Sequence, residues 1–518
     1  MEAWQWVTTI IVFYSLIVVG LGYLAYRKFR HTIEDFFLLS RRVGFLVLFL
    51  TLAATYHSAF AFLTSVAVFS KSGISFWVAA SIWTPLAAVS GYVLGRRFHL
   101  IGKKRGHITP ADLLADFYES EGLRFITAVL LATFVIAYMV VQSLGLGIVL
   151  SVGSAGHINL FWASLFFMAV TMFYLVVGGN RAAFWTDALQ GVWMYVGVWA
   201  AGLFIVYKFF PGGVSDLMNQ VREVSPKLLT MNWPLSLTTS FVIVYSVGVI
   251  LLPHMWLRYY SARDKTTLRL SAAGMAVYVS SYYIPAALIG LAAAVFNAKG
   301  LVVDGNTLLE PGFIDTLIKE YGSRDAVMAF MIYALTPAVF AGFLLAGAAS
   351  AAMSTLDSLL GATSMILTRD IYQKYLKKNA SEQELIWVGR LWIIIWGLIA
   401  WYFTIQKPGL IFDLVAISAS GGLQFLVPVL QVVFPTKRNW ITKDGAIAGV
   451  LAGIIVNILL CNKFPFYEAL GLPGYHAAVA GVIGLIVNAI VALVVSSFTK
   501  PVSAEKRKLY AQILSEEA

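Results

Sequence analysis

Of the 518 residues only 12% are charged, while 59% are hydrophobic and 14% aromatic. Soluble domains average about a quarter charged, so the composition excludes an ordinary soluble enzyme or binding module and points to an integral membrane protein. The net charge of +11 would suit a nucleic acid, but the basic residues collect in short loops between apolar runs, so no nucleic-acid partner is expected.

A bilayer crossing needs about 20 mostly apolar residues. The first run, WVTTIIVFYSLIVVGLGYLAY, is longer than a signal-peptide core and has no small-residue cleavage site after it. It predicts a retained crossing at 4–26. Twelve further crossings are predicted near 43–70, 75–97, 124–151, 158–178, 184–209, 237–257, 270–297, 336–367, 386–405, 411–434, 445–461 and 475–498. An all-α membrane protein of about 13 transmembrane helices follows. The single cysteine, Cys461, rules out an intrachain disulfide.

Lysine and arginine set the orientation, because they concentrate on the cytoplasmic side. One set of loops carries Arg27, Lys28, Arg30, Arg41 and Arg42, then Arg96, Arg97, Lys103, Lys104 and Arg105. The same set continues through Arg258, Arg263, Lys265 and Arg269, then Arg369, Lys374, Lys377 and Lys378, and ends with Lys437, Arg438, Lys443, Lys506, Arg507 and Lys508. The alternate loops are sparse, with Lys71 alone between the second and third crossings. The N-terminus is therefore expected outside and the C-terminus inside, with an attraction of the basic face to anionic lipid.

Two crossings look interrupted. The second contains AATYHSAFAF and the seventh SVGVILLPHMW, with Gly248 and Pro253. Proline removes a backbone donor and crowds the preceding turn. In lipid, irregular backbone is tolerated only inside protein or along a cavity. The interruptions lie five crossings apart, the pattern of inverted repeats around a midplane site. The chain then divides into a flanking helix and loop (1–42), a first five-helix repeat (43–209), an extracellular loop (210–236), a second repeat (237–434) and two flanking helices with a short tail (435–518). This symmetry rests on spacing alone. The stretch 211–236 is expected to be partly helical.

The ninth crossing contains SAAMSTLDSLLGATS. At about 100° per residue, Ser350, Ser354, Asp357, Gly361 and Ser364 form one stripe. Such a face either packs tightly on another helix or lines a wet cavity. Ser354 and Thr355 diverge, so both reach one object only if it sits between them, toward Ala351. A small hard cation fits there, with carbonyls freed by a broken helix completing its shell. Asp357 points away from that sector; a helix–helix hydrogen bond and a pair with a basic group both fit it. Gln142 is an uncharged polar group in mid-crossing and a candidate solute contact. No lysine or arginine is expected at midplane depth, so an anionic solute would rely on half-helix N–H groups or on the cation.

AGAASAAMSTLDSLLGATSMILTRDIYQKYLKK resembles the signature helix and loop of the sodium:solute symporter family (solute carrier 5-like), as do FYLVVGGNRAAFWTDALQG and DFFLLSRRVG. The likeness covers nearly the whole chain. It implies a LeuT-type core of five plus five inverted helices and uptake coupled to Na+. It further implies a sodium site made of the hydroxyls of Ser354 and Thr355 and the carbonyls of Ala54, His57 and Ala351, with Asp187 at a second ion site or an inner gate. Solute contacts are expected from Thr55, Tyr56, His57, Ser58, Gln142, Tyr245 and Gly248.

There are departures. Tyr56 stands where amino-acid-carrying relatives have Asp, and His57 where an apolar residue is usual. A histidine can carry a proton near neutral pH, which raises a proton-coupled variant; a neutral histidine hydrogen-bonded in the cavity is the other reading. ATYHSAFAFL and VGVILLPHMWLR resemble the pantothenate and monocarboxylate permeases most, implying a small monocarboxylate such as acetate, lactate, pyruvate or pantothenate. A proline-like amino acid is the alternative cargo. An enzyme is not indicated, since there is no phosphate loop, metal-ligand cluster or nucleophile elbow, and the histidines at 31, 99, 107, 157 and 476 are scattered at crossing ends or loops. A membrane sensor would need a separate signalling partner, because the tail after the last crossing is too short for a domain. No obligate protein partner is evident.

Overall fold

The computed structural model describes residues 1–30, 32–406, 411–435 and 439–515, so His31, Lys437 and Arg438 lie outside the described residues. The chain is almost entirely helical. It opens with α1 (Ala3–Tyr26), the short α2 (Ile33–Leu38), α3 (Phe45–Tyr56), α4 (Ser65–Ser72), α5 (Ile74–Arg105), α6 (Pro110–Tyr118) and α7 (Glu121–Gly153). Next come α8 (Leu160–Phe209), α9 (Gly213–Val224), α10 (Leu235–Ile243), α11 (Pro253–Ser261) and α12 (Lys265–Lys299). A small hairpin, β1 (Leu301–Val303) and β2 (Asn306–Leu309), leads to α13 (Phe313–Tyr321), α14 (Ala326–Leu335) and α15 (Ala338–Ile366). The chain finishes with α16 (Glu382–Ile405), α17 (Ile411–Leu423), α18 (Leu426–Val433), α19 (Lys443–Leu460), α20 (Phe466–Ala469), α21 (Ala477–Phe498) and α22 (Ala504–Ser515).

Nine of the described helices are long and apolar enough to cross a bilayer, and three bent pairs add to them. The bent pairs are α3 with Phe60–Ser72 (60°), Leu235–Leu251 with α11 (56°), and α17 with α18 (45°). Two of these breaks are the interruptions expected from sequence. The third was not anticipated, although Gly421, Gly422 and Pro428 mark it. The expected crossings at 158–178 and 184–209 both fall within α8, whose backbone leaves helical conformation at Gly179 (φ 60°, ψ −159°), so two helical segments meet at a kink between them. The hairpin, α13 and α14 occupy 301–335, a stretch between expected crossings for which the sequence predicts no element. The region 211–236 is partly helical, as α9 and a short turn at Pro226–Leu229.

Capping side chains start the helices where polar loops meet apolar runs. Ser120, Asn159, Asp264, Ser381 and Thr442 each accept a backbone N–H from the first turn of α7, α8, α12, α16 and α19. α15 forms the axis of the bundle and is buried from Leu344 to Ile366. Its polar stripe is shared among four neighbours. Ser350 donates to Tyr14 of α1 (2.8 Å), Ser354 to the Ala54 carbonyl of α3 (3.1 Å), and Ser364 to the Gly389 carbonyl of α16 (2.6 Å). Asp357 accepts from Tyr174 of α8 (2.6 Å). Gly361 abuts Asn180 of α8 so closely that a Cβ would lie 1.9 Å from its Oδ1. One stripe thus fixes the depth at which α15 sits against α1, α3, α8 and α16.

Short elements tie together the end of the bundle that carries the basic clusters. Asp35 of α2 is buried and receives Arg181, the Arg30 N–H (2.9 Å) and Ser40 (2.7 Å). Burial opposes its ionisation, yet Arg181 and these two donors hold its carboxyl below the usual carboxylate range. Asp116 of α6 gathers Arg105 (2.8 Å), His107 (3.1 Å), Lys506 (2.9 Å) and Tyr510 (2.7 Å). The last two clasp α22, whose Tyr510 is fully buried against Phe117. Against the cost of burial, His107, Arg105, Tyr510 and Lys506 hold the Asp116 carboxyl well below its ordinary value. The clasp is therefore at full strength above about pH 4 and weakens only as pH falls toward the folded value. Asp116→Asn is expected to release α22, read as faster tryptic cleavage at Lys506–Lys508, while lowering the wild type from pH 8 to pH 6 leaves α22 protected.

Candidate functional site

The site lies where the first broken pair meets α15. His57 leaves the helix in extended conformation (φ −91°, ψ 104°), and helix resumes at Phe60. A helix end leaves carbonyls without intrahelical partners, and here those at the end of α3 face α15. The second half begins with its own caps. Ser58 Oγ accepts the Phe60 N–H (3.2 Å), and Gln142 Oε1 of α7 accepts the Ala59 N–H (3.0 Å). The Gln142 amide donates to the Tyr138 carbonyl (3.1 Å). Gln142 and Ser58, expected as solute contacts, are thus placed as caps that hold the break open.

Ser354 and Thr355 meet the other side of the break. Ser354 Oγ donates to the carbonyls of Ala54 (3.1 Å) and Ala351 (3.3 Å); Thr355 Oγ1 donates to those of Thr55 (3.3 Å) and Ala351 (3.4 Å). Both hydroxyls lean toward the shared Ala351 carbonyl, although they come from adjacent positions. Four of the five expected sodium ligands, Ala54, Ala351, Ser354 and Thr355, come together. The His57 carbonyl is not among these contacts, and the Thr55 carbonyl takes that place. All converging atoms are oxygen and all five residues are buried. This donor set suits a hard monovalent cation.

About one helical turn from the Ala54 carbonyl, toward the basic end, lies a buried ion pair. Arg258 of α11 donates to Asp187 Oδ2 of α8 (2.9 Å) and also to Ser358 of α15. Thr51 of α3 donates to the same Asp187 oxygen (2.5 Å), and Thr55 and Ser358 hydroxyls lie 3.2 Å apart. The guanidinium is 1% exposed and the carboxylate 0%; its carbon sits 4.9 Å from the Phe184 ring centroid. The expectation of no arginine at this depth is corrected. The sequence reads Arg258 as part of a basic loop, but the proline at 253 starts a new half-helix rather than ending the crossing, so position 258 remains inside protein. Asp357 does not bond Arg258; it is held by Tyr174 and by Ser358 (3.1 Å). Thr51, Tyr174, Arg258 and Ser358 are the members of this cluster that sequence reading missed.

On the opposite side of the break the walls are aromatic. The Tyr56 hydroxyl donates to the Tyr245 carbonyl (3.0 Å), joining the two broken pairs. The Tyr245 ring lies 5.1 Å from Trp83 and 5.4 Å from Phe60, and Phe412 lies 5.9 Å from Phe60 and 4.9 Å from Phe241. The Tyr245 hydroxyl is buried and has no hydrogen-bond partner among the described residues. Gly248 is a close-packing position: a Cβ there would lie 2.3 Å from the Ala419 carbonyl of α17. The His57 ring stacks on Tyr282 (4.3 Å, 19°) and meets Tyr56 and Tyr283 at their edges. Neither of its nitrogens has a hydrogen-bond partner among the described residues. The hydrogen-bonded histidine expected from sequence is thus corrected to a ring packed among tyrosines of α12. Among the described residues no group of three His, Cys, Asp or Glu is placed to hold a metal ion.

Broken crossings that meet beside an oxygen-lined berth and a buried ion pair are the architecture of a multi-pass membrane transporter. The family model described as the sodium:solute symporter family matches residues 36–453. The chain belongs to that family. It is 28% identical over 460 residues to the sodium/pantothenate symporter of Haemophilus influenzae, covering 87% of this chain and 89% of that one. It is 26% identical over 473 residues to the high-affinity proline transporter PutP of Bacillus subtilis, covering 89% and 94%. Its fold matches the solved structure of a substrate-bound, outward-open Na+-coupled sialic acid symporter with a TM-score of 0.78 at 18% identity, over 96% of this chain and 98% of that one.

Proposed function

We propose that this protein is a secondary active symporter of the cell membrane that uses inward Na+ movement to take up a small organic acid by alternating access. The carrying observation is the convergence of Ser354 and Thr355 on the carbonyls of Ala54, Thr55 and Ala351 at the break in α3. In this reading the core is a LeuT-type pair of inverted five-helix repeats within thirteen crossings, the basic end is cytoplasmic, and the N-terminus is outside. Sodium is cargo, held by these oxygens. Its arrival among these oxygens couples α3 to α15. The solute lies beside it between Tyr56, Tyr245 and Thr55.

The Arg258–Asp187 pair closes the cytoplasmic side, because it joins α11 and α8 to Thr51 of α3 and Ser358 of α15. The aromatic cluster around Phe60, Tyr245 and Phe412 closes the outside. Opening to the cytoplasm then requires parting Arg258 from Asp187. Arg258 pairs with Asp187 alone, and Asp357 close by is held by Tyr174 and Ser358 rather than by a cation, so a second cation in this cluster would balance its two carboxylates. A second cation also bears on energetics. One charge crossing ~100 mV is worth about 2.3 kcal/mol, and a tenfold sodium gradient about 1.4 kcal/mol. One Na+ with one anion moves no net charge and sustains only about tenfold accumulation; a second cation restores the electrical contribution.

Uptake into proteoliposomes with an imposed Na+ gradient tests the reading. Radiolabelled pantothenate, with acetate, lactate, pyruvate, proline and glucose as competitors, is expected to enter only with Na+ and to be displaced best by the carboxylic acids. Displacement by proline alone would assign an amino-acid cargo, favoured by the likeness to the proline transporter. No Na+-driven uptake of any of these, with specific binding retained, would favour a sensor.

A further inference from the structure

Two cavities sit side by side at the basic end. The first, about 440 Å³, is walled by Lys28, Arg30, Arg42 and Arg181 and by the backbone leading into α3. The second, about 340 Å³, is a groove walled by Leu21, Leu24 and Ala25 of α1, with Arg27 at its mouth. Lys28 and Trp185 of α8 line both, so the cationic cavity continues directly into the apolar groove. At this junction the Lys28 ammonium lies 5.5 Å from the Trp185 ring centroid.

The charges of the first cavity are not balanced by the protein. No aspartate or glutamate lines it. Asp35 is committed to Arg181, and Glu34 to Arg41 at 2.7 Å. Lys28, Arg30 and Arg42 have no acidic partner among the described residues. The groove faces the bilayer: Leu24 is 55% exposed and Trp185 43%, and side chains of this kind on the outside of a membrane bundle meet acyl chains. An anion with no hydrocarbon would leave the groove empty, and a neutral lipid would leave three cations unmatched.

We propose that these joined cavities bind one anionic phospholipid of the adjoining leaflet, its phosphate among Lys28, Arg30 and Arg42 and its acyl chain along Leu21, Leu24 and Trp185. The geometry stands apart from the transport reading, which enters only in naming that leaflet cytoplasmic. The cavity wall includes Val43, Gly44 and Val47 at the foot of α3, the half-helix that carries Thr51 and Ala54. A bound headgroup therefore buttresses the element that forms the sodium berth, and transport becomes sensitive to anionic lipid.

The test is lipid retention by the purified full chain in native mass spectrometry, from vesicles of phosphatidylcholine with one-fifth phosphatidylglycerol. The wild type is expected to keep one phosphatidylglycerol. K28Q/R42Q is expected to lose it by about tenfold or more, and K103Q/K378Q, which removes equal charge elsewhere at the same end, to keep it. W185A keeps the cations of the first cavity while removing the ring that both cavities share, and is expected to weaken retention. Retention by K28Q/R42Q, equal loss in K103Q/K378Q, or full retention by W185A each overturns the proposal. Displacement by millimolar glycerol phosphate as effective as by phosphatidylglycerol also overturns it, and assigns the cavity to a soluble phosphate. Because retention is read without transport, a failed uptake assay leaves this result standing, and a failed retention assay leaves the symport reading untouched.

Discussion

Replacing Ser354 and Thr355 together with alanine is expected to raise the Na+ concentration needed for half-maximal uptake by about a hundredfold, or to abolish uptake. In the proposed berth each hydroxyl is a ligand to Na+ in a buried site, where such an interaction contributes about 1.5–3 kcal/mol. Two of them give at least ~3 kcal/mol, or roughly a hundredfold in affinity. The double variant also leaves the Ala54 and Thr55 carbonyls without their partners on α15, so the break itself loses support. Ser364→Ala is the comparison. Ser364 lies on the same stripe but bonds the Gly389 carbonyl of α16, and its loss should lower stability by about 1 kcal/mol with the Na+ requirement unchanged. Wild-type Na+ half-saturation in S354A/T355A would remove the berth from the account.

Arg258→Gln is expected to have the second large effect. Removing one partner of a buried pair leaves the other charge uncompensated, at a cost of about 3–5 kcal/mol. Here the stranded group is Asp187, with Asp357 close by and no second guanidinium to share. Uptake should fall by two orders of magnitude or more. D187N/R258Q removes both charges and should recover thermal stability relative to R258Q, because no unpaired charge remains, while uptake stays low if the pair is a gate. Accessibility separates the gate from a merely structural pair. Cys461, the single cysteine, is buried, so C461S provides a background for one introduced thiol. Leu48→Cys, on the first turns of α3 and 0% exposed, should react slowly with an impermeant thiol reagent from the cytoplasmic side. It should react at least several-fold faster when D187N/R258Q is added. Equal reactivity in both backgrounds would make the pair structural rather than gating.

The sequence carried further here than it does for most soluble chains, because the bilayer narrows the choices. Only helices satisfy their own backbone in lipid, so apolar run length translates almost directly into α1, α5, α7, α12, α15, α16, α19 and α21. Breaks in two of the runs are visible as polar residues at 53–62 and as Gly248 and Pro253. The third break, between α17 and α18, was missed because two glycines in an apolar run also read as close helix packing, and glycines do pack α19 on α21 in this way: a Cβ on Gly449 would lie 2.6 Å from Asn488 Oδ1. The 301–335 segment was missed because its helices are short and its hairpin has only seven strand residues, below the length at which hydropathy is informative.

The site divides along a similar line. Ser354 and Thr355 stand out because hydroxyls in an apolar run need a reason, and their angular separation lets both reach one object only if it lies between them. What occupies the positions around them is a matter of which helix lies opposite. Gln142 reads from sequence as a solute contact and is placed as a helix cap, because the Ala59 N–H happens to face α7. His57 reads as a titratable cavity group and is packed by Tyr282 and Tyr283, which are more than two hundred residues away in the chain.

By itself the sequence determined the environment, the helices, two of their interruptions and the pair of hydroxyls, since each follows from local polarity measured against a solvent that forbids unsatisfied groups. Only the tertiary structure decided that Arg258 belongs with Asp187 rather than with the loops, and that three cations and an apolar groove share a wall. Both are pairings between residues distant in the chain, and a side chain's charge carries no record of which partner folding will bring to it.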